Sequence, residues 1–141
     1  MKVCVVGLGK IGLPLACQVA GKGLPVVGCD SNPSVVESVN TGVAHIMQEP
    51  ELKGKVRDLV EKKLLSATTE TSKAVSEANV VLVVVPLLVD DAKNIDYRVV
   101  DAATRDVAAG LKKNTLVIYE TTLPVGGTRE RIAPLLESGG A

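Results

Sequence analysis

Residues 3–12 of the chain read VCVVGLGKIG, a short apolar run that leads into glycines at positions 7, 9 and 12. A helix-length stretch follows, and a second apolar segment over residues 25–29 stops at Asp30. The order strand, glycine turn, helix, strand and acid is typical of a dinucleotide-binding βαβ unit. The pattern therefore predicts a nicotinamide cofactor and, with it, hydride chemistry.

Each residue of this unit has a physical role. Gly7 allows a tight turn, Gly9 leaves the backbone open to a pyrophosphate, and Gly12 lets the helix pack close to the strand. The free N–H groups at the start of the helix then face the phosphates. The Asp30 carboxylate can accept hydrogen bonds from both ribose hydroxyls of an adenosine and would repel a 2′-phosphate. We therefore expect NAD rather than NADP; the alternative is a glycine turn kept for packing alone.

The composition predicts one domain with an aliphatic core. The chain has 141 residues, 46% of them hydrophobic, with no Phe or Trp and two Tyr. Its 16 basic and 16 acidic residues cancel, which argues against a nucleic-acid or anionic membrane surface. No apolar run reaches the roughly 18 residues of a transmembrane helix. A strand at the N-terminus leaves no room for a signal peptide, so we expect a cytoplasmic protein.

The cysteines are expected to be buried core thiols. Cys4 and Cys29 lie on predicted central strands, and Cys17 lies on the first helix. Their spacing fits no zinc site, and their odd number fits no disulfide framework. We expect no metal site.

Strand and helix signals alternate along the chain, which predicts a parallel sheet with helices on both faces. Strands are expected over residues 3–6, 25–29, 65–68, 80–85 and 115–119, and loops over residues 41–49 and 121–127. After the first helix, further helices are expected over residues 33–40, 50–64, 72–78, 95–111 and 128–136. In the helix at 95–111 the residues expected to face inward are Val99, Val100, Ala103, Val107 and Leu111. The predicted fold is an α/β, Rossmann-type doubly wound parallel sheet of about five strands.

Ligands of such sheets bind beyond the carboxyl ends of the strands. Four candidate segments open on that edge: residues 7–12, Asp30, residues 86–90 and residues 120–127.

Longer motifs occur in a fixed order along the chain. They are VVGLGKIGLP at 5–14, DSNP at 30–33, HI at 45–46, EPEL at 49–52, LSATT at 65–69, VVP at 84–86 followed by Asp90 and Asp96, and ETTLPVG at 120–126. Together they resemble the N-terminal NAD-binding domain of the UDP-glucose and UDP-N-acetylmannosamine 6-dehydrogenase family. The resemblance covers almost the whole chain, and the HI and EPEL segments lean toward the N-acetylated sugars.

The resemblance implies oxidation of the C6 alcohol of a UDP-hexose to a carboxylate with two NAD, through a thiohemiacetal and a thioester on a cysteine. It implies that Thr122 is catalytic and positions a water or an oxyanion at the reacting carbon. The cofactor-binding residues it implies are Gly7, Gly9, Lys10, Ile11, Gly12, Asp30, Pro86, Thr121 and Thr122. The alternative for the threonine hydroxyls is that they cap the last helix.

Three positions depart from the family pattern. Lys10 replaces a usual tyrosine, Leu87 a cofactor-contacting threonine, and Val35 a lysine that reaches the adenosine side. Each change removes a polar contact, so a lower affinity for NAD is expected. Lys10 offsets part of the loss because an ammonium beside the glycine turn attracts a pyrophosphate.

The resemblance also implies a longer protein than residues 1–141. The family has a sixth strand, a connecting helix and a sugar-binding C-terminal domain with the catalytic cysteine and lysine. None of Cys4, Cys17 and Cys29 falls at that cysteine. We expect a chain truncated before the sixth strand, inactive alone, that meets the UDP-sugar substrate only through the missing domain and forms a homodimer. The alternatives are a stand-alone dinucleotide-binding or regulatory module, or the cofactor domain of a 3-hydroxyacid dehydrogenase. The length of the native reading frame would separate them.

Overall fold

The structure is a computed structural model, and it describes residues 1–46 and 50–139. The strands are β1 (Val3–Val6), β2 (Val26–Cys29), β3 (Leu65–Thr68), β4 (Val80–Val83), β5 (Leu88–Val89), β6 (Ile95–Asp96) and β7 (Leu116–Tyr119). The helices are α1 (Gly12–Ala20), α2 (Pro33–Asn40), α3 (Pro50–Glu61), α4 (Thr71–Ser76), α5 (Arg98–Gly110) and α6 (Ala133–Gly139), the last preceded by a π-helical turn over Thr128–Ile132.

Five parallel strands form the central sheet in the order β3-β2-β1-β4-β7. The strands β1 and β4 are runs of apolar, mostly β-branched residues, which suit a sheet covered on both faces. Along β1, Val3 and Val5 belong to one buried cluster and Cys4 and Val6 to the other. The predicted Rossmann-type doubly wound parallel sheet of five strands is confirmed.

The helices form two layers around this sheet. The cluster that contains Val3 and Val5 also holds the buried hydrophobic side chains of α1, α2 and α3. The opposite cluster joins the sheet to α4 and α5, and Leu136 of α6 packs against it. The core is aliphatic, as the composition predicts.

The second helix follows its sequence signals closely. Asn32 is the N-cap of α2, and its side-chain oxygen accepts a hydrogen bond from the N–H of Ser34 at 3.0 Å. Pro33 occupies the first helical position, where its missing N–H has no cost. The loop predicted over residues 41–49 is described only as far as Ile46, and residues 47–49 lie outside the described residues.

The helix predicted over residues 95–111 begins too early in the prediction, since α5 starts only at Arg98. Instead β6 pairs antiparallel with β5 in a small hairpin. The Asp90 carboxylate accepts hydrogen bonds from the backbone and side-chain N–H groups of Asn94, and Lys93 has a positive φ of 64°. Asp96 accepts a hydrogen bond from the N–H of Arg98, where α5 begins. Local side-chain hydrogen bonds of this kind favour turns over helix.

Other boundaries differ in smaller ways. The strand predicted over 80–85 ends at Val83, the helix predicted over 50–64 ends at Glu61, and the final helix starts as a π turn. Of the inward residues predicted on α5, Val100 and Val107 are fully buried and Ala103 and Leu111 are half-buried. Val99 is 39% exposed instead. Within residues 1–46 and 50–139, no helix is long and apolar enough to span a bilayer.

Candidate functional site

The four candidate segments meet at the carboxyl edge of the sheet, around two clefts. The first cleft, about 680 Å³, lies between the glycine turn, Asp30 and one face of α5. The second cleft, about 430 Å³, lies between the start of α1 and the loop after β7. Gly9, Val84, Val85 and Pro86 line both clefts, so one ligand can extend across the two. Their volumes fall in the range of small-molecule sites.

The candidate cofactor residues divide between these clefts. Gly7 and Asp30 line the first cleft only. The residues that line only the second are Lys10, Ile11, Thr121 and Thr122. Gly12 lines neither cleft and is buried beneath the turn.

Three glycines make the turn possible for three different reasons. Gly7 has a φ of +94°, and a Cβ there would lie 2.9 Å from the carbonyl oxygen of Val84. A Cβ on Gly12 would lie 1.7 Å from the carbonyl oxygen of Gly7, so α1 can approach the turn only without a side chain. At Gly9 a Cβ would meet no atom within 4 Å, which leaves the backbone open to the clefts.

The start of α1 has the donors that a phosphate needs. The N–H groups of residues 9–12 form no hydrogen bond to the described part of the chain. The first N–H groups of a helix have no partner inside the helix and carry the positive end of its dipole. With the open space at Gly9, this arrangement fits a pyrophosphate.

Asp30 connects the glycine turn to the end of β2. Its Oδ2 accepts a hydrogen bond from the N–H of Leu8 at 3.0 Å, and its Oδ1 accepts one from the N–H of Asn32 at 2.9 Å. A carboxylate has about four acceptor sites. The half-buried Asp30 therefore has acceptor sites left for ribose hydroxyls while it holds the turn in place.

The loop after β7 is tied to the loop after β4. The hydroxyl of Thr121 donates a hydrogen bond to the carbonyl oxygen of Val85 at 2.7 Å, next to Pro86. The neighbouring Thr122 is exposed in the second cleft. Thr121 thus has a structural role in addition to the predicted cofactor contact.

The departures from the family pattern have distinct places. Leu87 and the exposed Lys10 both line the second cleft. Val35 is half-buried and packs against the core cluster on the side of α1. Val35 therefore contributes to core packing, whereas Leu87 presents an apolar side chain to the second cleft.

The cysteines are buried, as predicted. Cys4 and Cys29 have their sulfur atoms 3.5 Å apart on adjacent strands, and Cys17 lies in the opposite layer. The hydrogen bond to Cys29 and burial raise the pKa of Cys4. Burial raises the pKa of Cys17 to about 11, which keeps it protonated at neutral pH.

Two contacts near the site were not predicted from the sequence. Gly28 of β2 makes room for Leu8, whose side chain would lie 2.6 Å from a Cβ at position 28. Arg131 of the π turn forms a two-pronged ion pair with Asp101 of α5. Its guanidinium also stacks 4.0 Å from the ring centre of Tyr97. A glycine inside a strand signals a close approach, but no local pattern pairs residues 30 positions apart.

The fold and the site define a dinucleotide-binding α/β domain. The chain belongs to the UDP-glucose/GDP-mannose dehydrogenase family: the model of its NAD binding domain matches residues 1–141. NAD is therefore the cofactor of this domain. Family membership decides against the 3-hydroxyacid dehydrogenase alternative.

Individual relatives agree with this assignment. The chain is 40% identical over 137 residues to the UDP-N-acetyl-D-mannosamine dehydrogenase of Campylobacter jejuni, which covers 96% of this chain and 32% of that protein. It is 41% identical over 128 residues to the NDP-N-acetyl-D-galactosaminuronic acid dehydrogenase of Ralstonia nicotianae, with coverage of 91% and 29%. The solved UDP-D-ManNAc dehydrogenase of Pyrococcus horikoshii superposes with a TM-score of 0.90 at 35% identity, over 99% of this chain and 32% of that one. The chain thus spans about a third of the length of these relatives.

Proposed function

We propose that residues 1–141 form the NAD-binding domain of an NAD-dependent UDP-sugar 6-dehydrogenase. The whole protein then oxidises the C6 alcohol of a UDP-hexose, UDP-glucose or a UDP-N-acetylhexosamine, to a uronate. One observation carries this proposal: the family model matches residues 1–141 of a chain whose glycine turn, Asp30 and threonine loop surround one edge of the sheet.

In this proposal the first cleft and the turn hold the cofactor. The free N–H groups of residues 9–12 bind the pyrophosphate, and the exposed ammonium of Lys10 adds attraction. Asp30 accepts hydrogen bonds from the ribose hydroxyls of the adenosine. Gly7 and Pro86 shape the backbone around the ligand, whereas Gly12 acts through packing.

The second cleft is the proposed place of reaction. When bound, NAD supplies hydride acceptance. The exposed hydroxyl of Thr122 both donates and accepts hydrogen bonds, so it can orient a water or an oxyanion at the reacting carbon. Ile11 and Thr121 line the same cleft and shield the nicotinamide end, and the hydrogen bond from Thr121 to Val85 fixes the loop that carries Thr122.

The substrate, partners and location are proposed on other grounds. The Campylobacter and Ralstonia relatives are named for N-acetylated sugars, which favours a UDP-N-acetylhexosamine. Since these relatives are about three times as long as the match, we assign sugar binding to the part of such a protein outside residues 1–141.

We propose a homodimer because β7 pairs on one side only among the described strands. The three free, buried thiols favour a cytoplasmic location.

Calorimetric titration of the chain with NAD and with NADP tests the proposal. We expect NAD to bind and NADP to bind more weakly, because the Asp30 carboxylate repels a 2′-phosphate. Asp30→Ala should weaken NAD binding by about 1.5–3 kcal/mol, the scale of hydrogen bonds to a charged group. Equal or tighter binding of NADP by the wild-type chain would overturn the assignment of Asp30.

A second variant separates binding from folding. Asp30→Ala also removes the acceptor of the Leu8 N–H, so its melting temperature must be measured alongside. Asp30→Asn keeps one acceptor oxygen and loses the charge. Asp30→Asn should therefore reduce the difference in affinity between NAD and NADP, and it should do so even if the glycine turn keeps its structure.

A further inference from the structure

We propose that Asp106 makes the first cleft selective for a 6-amino purine base, adenine, over a 6-oxo purine such as hypoxanthine. The inference rests on the proposed function, because it takes NAD as the ligand of this cleft. It assigns a specificity-determining residue to α5, a helix that lies outside the glycine-turn motif.

One face of α5 forms a wall of the first cleft. Val99, Ala102, Ala103 and Asp106 line the cleft, and their spacing of three, one and three residues places them on one side of the helix. The short side chains of Ala102 and Ala103 form an apolar surface between Val99 and the Asp106 carboxylate. Such a wall suits the face of a flat base with a polar group at one edge.

The ribose anchor determines which end of the dinucleotide meets this wall. Asp30 lines the first cleft and not the second. The adenosine ribose held at Asp30 therefore directs its base into the first cleft, toward α5. The nicotinamide end extends through the shared residues at Gly9 and Pro86 into the second cleft.

The charged side chains of the first cleft differ in how far they are already engaged. Both oxygens of Asp30 accept backbone N–H groups. Asp96 and Arg98 bind each other through three side-chain hydrogen bonds. Within residues 1–46 and 50–139, Asp106 is the charged residue of this cleft for which the structure records no hydrogen bond or ion pair. The exposed Asp106 carboxylate is thus an acceptor on the α5 wall of the cleft that no described side chain or backbone group engages.

An ionised carboxylate accepts hydrogen bonds and donates none. The exocyclic amine of adenine is a donor, so it pairs with Asp106. Hypoxanthine has an oxygen in place of that amine, and two acceptors face each other. Its nearest donor is N1–H, one ring atom away, which reaches Asp106 only if the base shifts against the ribose anchor at Asp30.

Calorimetry with NAD and with nicotinamide hypoxanthine dinucleotide isolates this edge of the base, because the two ligands differ only in the group at position 6 of the purine and in the N1 proton that accompanies the 6-oxo group. We expect the wild-type chain to bind NAD about tenfold more tightly, the lower end of the range for hydrogen bonds to a charged group. In Asp106→Asn the preference should disappear, since the amide donates to the 6-oxo group. In Asp106→Ala the affinity for NAD should fall while that for the hypoxanthine analogue does not fall, so that the ratio of the two affinities approaches one.

The matched control is Glu61→Gln, which removes one exposed negative charge from the end of α3 in the opposite helix layer. It should keep the wild-type ratio of the two affinities. Equal affinities in the wild-type chain, or an unchanged ratio in Asp106→Asn, would overturn the role of Asp106 and leave NAD binding in place. Failure of both dinucleotides to bind would overturn the proposed function together with this inference.

Discussion

At the scale of single residues, the glycines of the turn differ in the space around them. A methyl group at Gly12 would overlap the carbonyl oxygen of Gly7, whereas a methyl group at Gly9 would meet nothing within 4 Å. Position 12 must therefore be glycine so that α1 can pack against Gly7. At position 9, glycine leaves the backbone accessible to a ligand.

Gly12→Ala should lower the free energy of unfolding by about 1–3 kcal/mol, the usual cost of forcing extra atoms into a packed site. The physical reason is that either α1 or the turn must move. Gly9→Ala is the matched control, because it adds the same methyl group in open space and should leave stability within about 0.5 kcal/mol. Urea unfolding of both variants measures the difference, and equal midpoints for Gly12→Ala and wild type would show that α1 adjusts without cost.

The glycine turn, the place of Asp30 after β2 and the N-cap of α2 could be predicted from the sequence because they depend on neighbours a few positions away. Other residue roles depend on contacts across the fold. Thr121 donates to Val85, and Leu8 packs over Gly28. Asp106 lines the first cleft together with Gly9 and Asp30, which lie far from it in the sequence. No local pattern contains these pairings, so the structure was needed to find them.

At the scale of elements, α5 and the π turn are joined by an ion pair that connects the two sides of the site. Asp101 is 9% exposed and accepts two hydrogen bonds from Arg131, at 2.8 and 2.6 Å. Tyr97, at the start of α5, stacks on the same guanidinium. The helix that follows the Thr122 loop is thereby held against the helix that forms the wall of the first cleft.

The hydrogen bonds from Arg131 hold the pKa of Asp101 below its usual value. A carboxyl group with a lowered pKa in the folded state stabilises the fold above its unfolded pKa, about 3.9, and loses this effect as the pH falls through the folded value. Asp101→Asn should therefore be less stable than wild type at pH 5–7, and the difference should shrink below about pH 4. Urea unfolding at several pH values measures this difference.

The control for this prediction is Asp58→Asn on α3. Asp58 pairs with Lys62 at the surface, with 57% of its side chain exposed. Exposed ion pairs of this kind contribute little to the free energy of unfolding. The stability of this variant should therefore match that of wild type throughout the pH range. A stability difference for Asp101→Asn that persists unchanged at pH 3 would contradict the role of the ion pair.

Element boundaries were predicted well where hydrophobic period and capping agree, as at β1 and α2. The helix prediction was wrong at residues 95–97, because the structure places residues 95–96 in a hairpin strand and begins α5 at Arg98. Turn hydrogen bonds made by Asp90 and Asp96 outweigh the weak helical pattern there. The same misjudged period placed Val99 in the core, although it faces the first cleft.

At the scale of the whole molecule, the two edges of the sheet are β3 and β7. The strand β7 pairs with β4 on one side, and no described strand pairs with its other side. Leu116 is 56% exposed at its start, and Val117 and Ile118 are half-buried. Unpaired backbone groups beside apolar side chains favour pairing with another chain. The alternation of strands and helices predicts that the strands run parallel, but the exposure of this edge depends on what surrounds the folded chain.

We therefore predict that the 141-residue chain self-associates through β7, most simply as a twofold dimer. Sedimentation equilibrium over a range of concentrations should show a monomer–dimer equilibrium. Leu116→Lys should shift it toward the monomer, because a charged side chain on an edge strand opposes pairing. Val43→Lys is the matched control, since Val43 is 53% exposed on a loop remote in sequence from β7 and should leave the equilibrium unchanged. A wild-type chain that stays strictly monomeric at high micromolar concentration would contradict the prediction, and equal effects of the two lysines would place the interface elsewhere.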